Sequence, residues 1–179
     1  VGPVEAGFCR AGTATAGVAV RDSNLFGGLT SLTLELRVIA LGEQNDQTLL
    51  DQMNLTKARI LIVDDDRLTR SLIVSGLRQL GIQDLHESED GTAGLMLAGK
   101  MHPDLILTDI HMSPMNGLEF VKQLRAQTNA TLRVTKVIFM SADASKETLL
   151  AALPLGILGY IVKPPTLEAL HAKIEAALR

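Results

Sequence analysis

Two periodicities alternate along residues 58–178. Short unbroken apolar runs, Ile60-Leu61-Ile62-Val63, Leu105-Ile106-Leu107, Val137-Ile138-Phe139-Met140 and Tyr160-Ile161-Val162, are each followed by a stretch whose apolar residues recur every three or four positions. A short apolar run fits a strand buried on both faces, and the second pattern fits a helix with one apolar side. Ile82 to Glu87 reads as a weaker, more polar strand, as a sheet edge would be. Helices are expected at five places. The first carries Leu68, Leu72, Ile73, Gly76, Leu77 and Leu80 inward and stops at Gly81. The second starts from a cap at Asp90 and runs to about Met101. The third carries Leu118, Val121 and Leu124 and ends near Thr128. The fourth follows Ser145, carries Leu149, Leu150 and Leu153, and closes at Pro154 and Gly156. The fifth follows a cap at Thr166, with Leu167, Leu170, Ile174 and Leu178 on one face. Five strands alternating with five helices predict an α/β fold, a doubly wound five-stranded parallel sheet covered on both sides by right-handed crossovers.

Residues 1–52 lack this order. They hold seven of the 15 glycines and no lysine or methionine, and read as a mostly irregular N-terminal extension. One part is patterned: Leu32, Leu34, Leu36, Val38 and Ala40 alternate with Thr33, Glu35, Arg37 and Ile39, which fits a strand over 31–40. A lone strand is marginal. Met53 precedes the first core segment, so residues 1–52 read as an upstream remnant ahead of a natural start, or as a docking or oligomerising arm. Length alone suggests one domain with an appendage, and the domain is placed at residues 57–179.

Composition removes several function classes. No stretch approaches the ~18 apolar residues of a membrane span, and the N-terminus has no basic-then-apolar leader. A single cysteine, Cys9, excludes an internal disulfide and fits a reducing, cytoplasmic compartment. The net charge of −3 sits entirely in residues 1–52, and the remainder balances 14 acids with 14 bases. Without a basic stripe, direct nucleic-acid binding is not expected.

The candidate chemistry lies at the ends of the strands. Asp64 and Asp65 close the first, Asp109 the third, Ser141 the fourth and Lys163 the fifth. In a parallel sheet these carboxyl ends share one edge, where ligands bind. Three neighbouring carboxylates repel one another, and a divalent cation relieves that repulsion. All-oxygen ligands select Mg²⁺, with Mn²⁺ as the alternative, over Zn²⁺. A carboxylate that attacks phosphorus forms an acyl phosphate, and Lys163 with the cation would neutralise the charge. Asp66 reads as a helix cap, and Met96, Met101, Met112, Met115 and Met140 as core or loop filler. His86, His102 and His171 read as surface residues.

Five segments in order, ILIVDDD (60–66), LILTDIHM (105–112), MNG (115–117), FMSA (139–142) and GYIVKP (159–164), make residues 57–179 resemble the receiver domain of bacterial two-component response regulators, the group that includes the chemotaxis regulator. The resemblance implies a flavodoxin-like strand order 2-1-3-4-5. It implies Asp109 as phosphoacceptor. The implied metal ligands are Asp64, Asp65, Asp109 and the main-chain carbonyl of His111. Ser141 is the implied switch hydroxyl, Lys163 the partner of the phosphoryl oxygens, and Tyr160 the aromatic that follows Ser141. His111 and Asp143, two residues past the acceptor and the hydroxyl, fall where the family tunes the phosphoryl lifetime. The Lys163–Pro164 bond is expected to be cis. The sequence departs from the family's Met-Pro-X-Met-Asp-Gly loop at Met112-Ser113-Pro114-Met115-Asn116-Gly117, and Pro165 stands where an aromatic is frequent.

The expected activity is therefore phosphoryl acceptance from a histidine kinase or phosphotransfer protein and a switch in partner binding. The only catalysis expected is self-phosphorylation and autodephosphorylation. No effector is expected after the last helix, so output is expected through a downstream protein, a phosphorylation-dependent dimer or onward transfer. Two other readings compete with this one. A phosphohydrolase of the haloacid dehalogenase type needs Asp-x-Asp-x-Thr/Val, and Leu68 occupies the last position. The other is an interaction module with the receiver fold but no phosphorylation.

Overall fold

A computed structural model describes residues 55–142 and 145–179. The expected strand at 31–40 and residue Asp143 lie outside the described residues. Five strands, β1 (Ile60–Val63), β2 (Leu85–Ser88), β3 (Leu105–Asp109), β4 (Lys136–Ser141) and β5 (Gly159–Val162), form one parallel sheet in the order β2-β1-β3-β4-β5. The helices are α1 (Arg67–Gln79), α2 (Gly91–Met101), α3 (Gly117–Arg125), a four-residue turn α4 (Ala130–Arg133), α5 (Lys146–Ala152), which runs into a 3₁₀ turn at Leu153–Leu155, and α6 (Leu167–Leu178). The fold is the expected doubly wound sheet, and the polar strand β2 lies at one edge.

The three central strands β1, β3 and β4 carry apolar runs because they are covered twice. Their side chains alternate between two cores. Ile60, Ile62, Leu105, Leu107 and Met140 meet α1 and α6 through Ile73, Leu77, Leu170 and Ile174. Leu61, Val63, Ile106, Val137 and Phe139 meet α2 and α3 through Ala98, Phe120, Val121 and Leu124. Each fully buried aliphatic or phenyl side chain contributes roughly 1.5–3 kcal/mol. Gly76 lets α1 and α6 approach, since a Cβ there would lie 3.1 Å from Leu170 Cδ1.

Capping sets the helix starts as the sequence indicates. Asp66 accepts from the N–H groups of Leu68 and Thr69, Asp90 from Thr92 and Ala93, and Thr166 from Ala169. Ser145 Oγ accepts from Thr148 N. Gly81, with φ 86°, follows α1 in the left-handed conformation that ends it.

Three helix-face assignments change. Leu68 and Leu72 are 74% and 62% exposed, not inward. The inward line of α1 runs Ile73, Val74 and Leu77, and three residues before Ile73 it reaches Arg70, whose side chain is 12% exposed. Leu150 and Leu153 are exposed; among the described side chains of α5 Ala152 is buried, and that of Leu149 lies outside the described ones. Met96 is exposed and does not fill the core. The turn α4 was not anticipated. It is capped by Asn129 and joined to its surroundings by Arg125, which donates to the carbonyls of Leu155, Arg133, Thr135 and Gly156. Lys163–Pro164 is cis as expected, and Ser113–Pro114 is cis as well.

Candidate functional site

Asp109 is the last residue of β3, buried, and paired with Met140 across the sheet. One residue past β1 comes Asp64, fully buried, and then Asp65, exposed. Both chains run toward the same edge, so these acids converge although 45 residues separate Asp64 from Asp109. Oxygens of Asp64, Asp65 and Asp109 lie within 4.8 Å of one another. Lys163, following β5, places its Nζ 2.6 Å from Asp64 Oδ2 and 2.7 Å from Asp109 Oδ2.

The backbone around these groups is held closely. Ile110 N donates to Met140 O, Gly117 N to Ile110 O, and Thr108 Oγ1 to Asp109 O. Gly117 is required at its position, because a Cβ there would lie 2.1 Å from the Asp109 carbonyl oxygen. His111 N donates to Asp109 Oδ1 at 3.3 Å, while the imidazole of His111 belongs to an exposed residue. Three of the four polar atoms of Asp64 are hydrogen-bonded, and the buried fourth, Oδ2, faces the Lys163 ammonium as an ion pair. Its N–H donates to Ser88 O, its carbonyl accepts from Arg70 Nη1 at 2.6 Å, and its Oδ1 accepts from Asp66 N at 2.9 Å.

Electrostatics at the site are strained in one place. Burial raises the pKa of Asp64 above its ordinary 3.8, with Asp109 adding a smaller push; the contacts from Lys163 and Asp66 only partly offset it. Burial alone would lower Lys163, but its contacts with Asp109 and Asp64 outweigh that and hold the ammonium above its ordinary 10.5. A buried carboxylate that remains costly even beside a lysine, with two more carboxylates in reach, is a donor set suited to a hard divalent cation.

Of the other expected residues, Ser141 is buried at the end of β4, and its carbonyl accepts from Lys163 N at 2.9 Å. Tyr160 is half-buried on the edge strand β5, opposite Phe139 and packed on the second core. Arg70 was not singled out from the sequence. The available signal was its place on the inward line of α1, where a charged residue needs an internal partner.

A parallel sheet with an acidic cluster and a lysine at its carboxyl edge defines a class, and the comparisons agree with it. The chain belongs to the response regulator receiver domain family, which it matches over residues 60–175. It is similar to the chemotaxis protein CheY-3 of Vibrio cholerae, at 35% identity over 117 residues, covering 65% of this chain and 88% of that protein. It is similar to the chemotaxis protein CheY of Pseudomonas aeruginosa at 35% identity, covering 65% and 93%. The solved structure of the chemotaxis response regulator CheY4 of Vibrio cholerae matches with a TM-score of 0.63 at 29% identity, over 69% of this chain and 100% of that one. Receiver domains are signalling modules of two-component systems. Among the described residues no helix is long and apolar enough to cross a membrane.

Proposed function

We propose that Asp109 accepts a phosphoryl group from a histidine kinase or phosphotransfer protein and that the modification switches partner binding. The observation that carries this reading is Lys163 Nζ, which lies 2.6 and 2.7 Å from carboxylates contributed by two different strands. A carboxylate oxygen of Asp109 attacks phosphorus of the donor. The new O–P bond forms as the donor's P–N bond, or the P–O bond of acetyl phosphate, breaks, and the electron pair leaves with the imidazole or acetate. Water attacking the same phosphorus later restores the carboxylate and releases phosphate.

Asp64, Asp65, Asp109 and the main-chain carbonyl of His111 are the groups that would hold Mg²⁺, or Mn²⁺ in its place, and the bound ion supplies charge neutralisation on the phosphoryl oxygens. Lys163 gives up its contact with Asp109 to pair with those oxygens, and the Ser141 hydroxyl donates to one of them. Lys163 N is bonded to Ser141 O, so a movement at Ser141 is felt in β5, where Tyr160 lies. His111 and Asp143 bear on how fast water reaches phosphorus.

Intact-mass spectrometry after incubation with acetyl phosphate tests the reading, with and without Mg²⁺, on the wild type and Asp109→Asn. One phosphoryl adduct requiring both Mg²⁺ and Asp109 is expected. No adduct under any condition would make the unphosphorylated interaction module the better account.

A further inference from the structure

Arg70 is a buried guanidinium in the first turn of α1, where the helix dipole disfavours a cation. Such a placement needs a compensating contact. Arg70 has two. Nη1 donates to the main-chain carbonyl of Asp64 at 2.6 Å, and Nε, which makes no hydrogen bond, is paired at ion-pair distance, 3.5 Å, with Oε2 of Glu87 on the edge strand β2. The Glu87 side chain is 46% exposed, so the anchor reaches outward while the donated bond points in. The carbonyl it holds belongs to the peptide joining Asp64 to Asp65, the turn on which both acids leave β1. Ser88 of the same edge strand accepts from Asp64 N. Strand β2 contributes no side chain to the acidic cluster, yet it braces the Asp64 main chain directly through Ser88 and indirectly through Glu87 and Arg70.

We propose that Arg70 is a positioning residue for cation binding: anchored on Glu87, it fixes the Asp64–Asp65 peptide and so sets the spacing of the two acids relative to Asp109. The proposal rests on the reading that this cluster holds a divalent cation. A group that orients a ligand from outside the coordination sphere changes metal affinity by about 10–100-fold when removed. A purely structural role, in which Arg70 only satisfies a strand-end carbonyl, changes folding stability and leaves affinity alone.

The test is isothermal titration of the full chain with Mg²⁺, paired with thermal melts in EDTA. The variants are Arg70→Met, Arg70→Lys, Glu87→Gln and Arg125→Lys. Arg125 lies at the far end of α3 and serves as a destabilised control. Arg70→Met is expected to weaken Mg²⁺ binding about 10-fold or more. Arg70→Lys should recover part of that loss. Glu87→Gln, at an exposed position that tolerates the change, should shift affinity in the same direction by less, which keeps the test decisive if Arg70→Met fails to fold. Arg125→Lys should lower the melting temperature without changing affinity. Wild-type affinity in Arg70→Met, or in Glu87→Gln should that be the only folded variant, overturns the role of Arg70 alone. Absence of saturable Mg²⁺ binding in the wild type overturns both this role and the metal site.

Discussion

Lys163 Nζ lies 2.7 Å from Asp109 Oδ2 and almost equally close to Asp64, so one ammonium serves two buried carboxylates. Removing it by Lys163→Met strands both. Breaking a buried pair from one side typically costs about 3–5 kcal/mol. A loss in that range is expected for the metal-free protein at pH 7. The folded-state pKa of Lys163 is raised, so its contribution is fully present below the unfolded value near 10.5 and is lost as pH rises through the folded value. Thermal melts in EDTA across the alkaline range should show that loss in the wild type and not in the variant.

Asp64→Asn should have the opposite sign. The folded-state pKa of Asp64 is raised, so the folded protein holds the proton more tightly than the unfolded chain. Stability is therefore lost as pH rises from about the ordinary 3.8 through the higher folded value, and the deficit is complete above it. The amide removes that deficit. Melting in EDTA at pH 7 should rise by a few degrees, roughly 4 °C for each kcal/mol gained in a domain of this size. The gain should vanish below about pH 3.8, while Mg²⁺ binding and phosphorylation are lost at every pH. An unchanged melting temperature at pH 7 would contradict the reading of Asp64 as a strained ligand.

Gly117→Ala forces a methyl group to within 2.1 Å of the Asp109 carbonyl oxygen. Backbone on both sides must shift, at a cost of at least about 1–3 kcal/mol. The displaced atom belongs to the acceptor itself, so phosphorylation from acetyl phosphate should fall together with stability. Gly99→Ala, inside α2 where a Cβ meets nothing within 4 Å, should raise the melting temperature slightly, because alanine is the better helix former by roughly 0.5–1 kcal/mol, and should leave labelling unchanged.

Arg125→Lys separates scaffold from site. The guanidinium bonds carbonyls of the α4 turn, the residue before β4 and the 3₁₀ turn, and a lysine ammonium cannot span all four. About 1–3 kcal/mol of stability should be lost, read from urea unfolding. The phosphoryl adduct at saturating acetyl phosphate should form as in the wild type.

The sequence by itself determined the central strands, because a strand buried on two faces cannot hide its apolar run, and the resemblance implied their order in the sheet. It also determined most helix starts, since Asp66, Asp90, Ser145 and Thr166 cap through bonds only two or three residues long. The acids and the lysine were legible as strand-end residues, and a parallel sheet brings strand ends to one edge. Tertiary structure decided what depends on direction around a helix. Leu68 and Leu72 look like core residues in the one-dimensional pattern, but the line that faces the sheet passes through Arg70 and Ile73. The bracing of Asp64 by Arg70 and Glu87, and the clamp that Arg125 forms on four carbonyls, join residues from separate elements through main-chain oxygens. A main-chain oxygen is the same in every residue, so no letter of the sequence marks it as a partner.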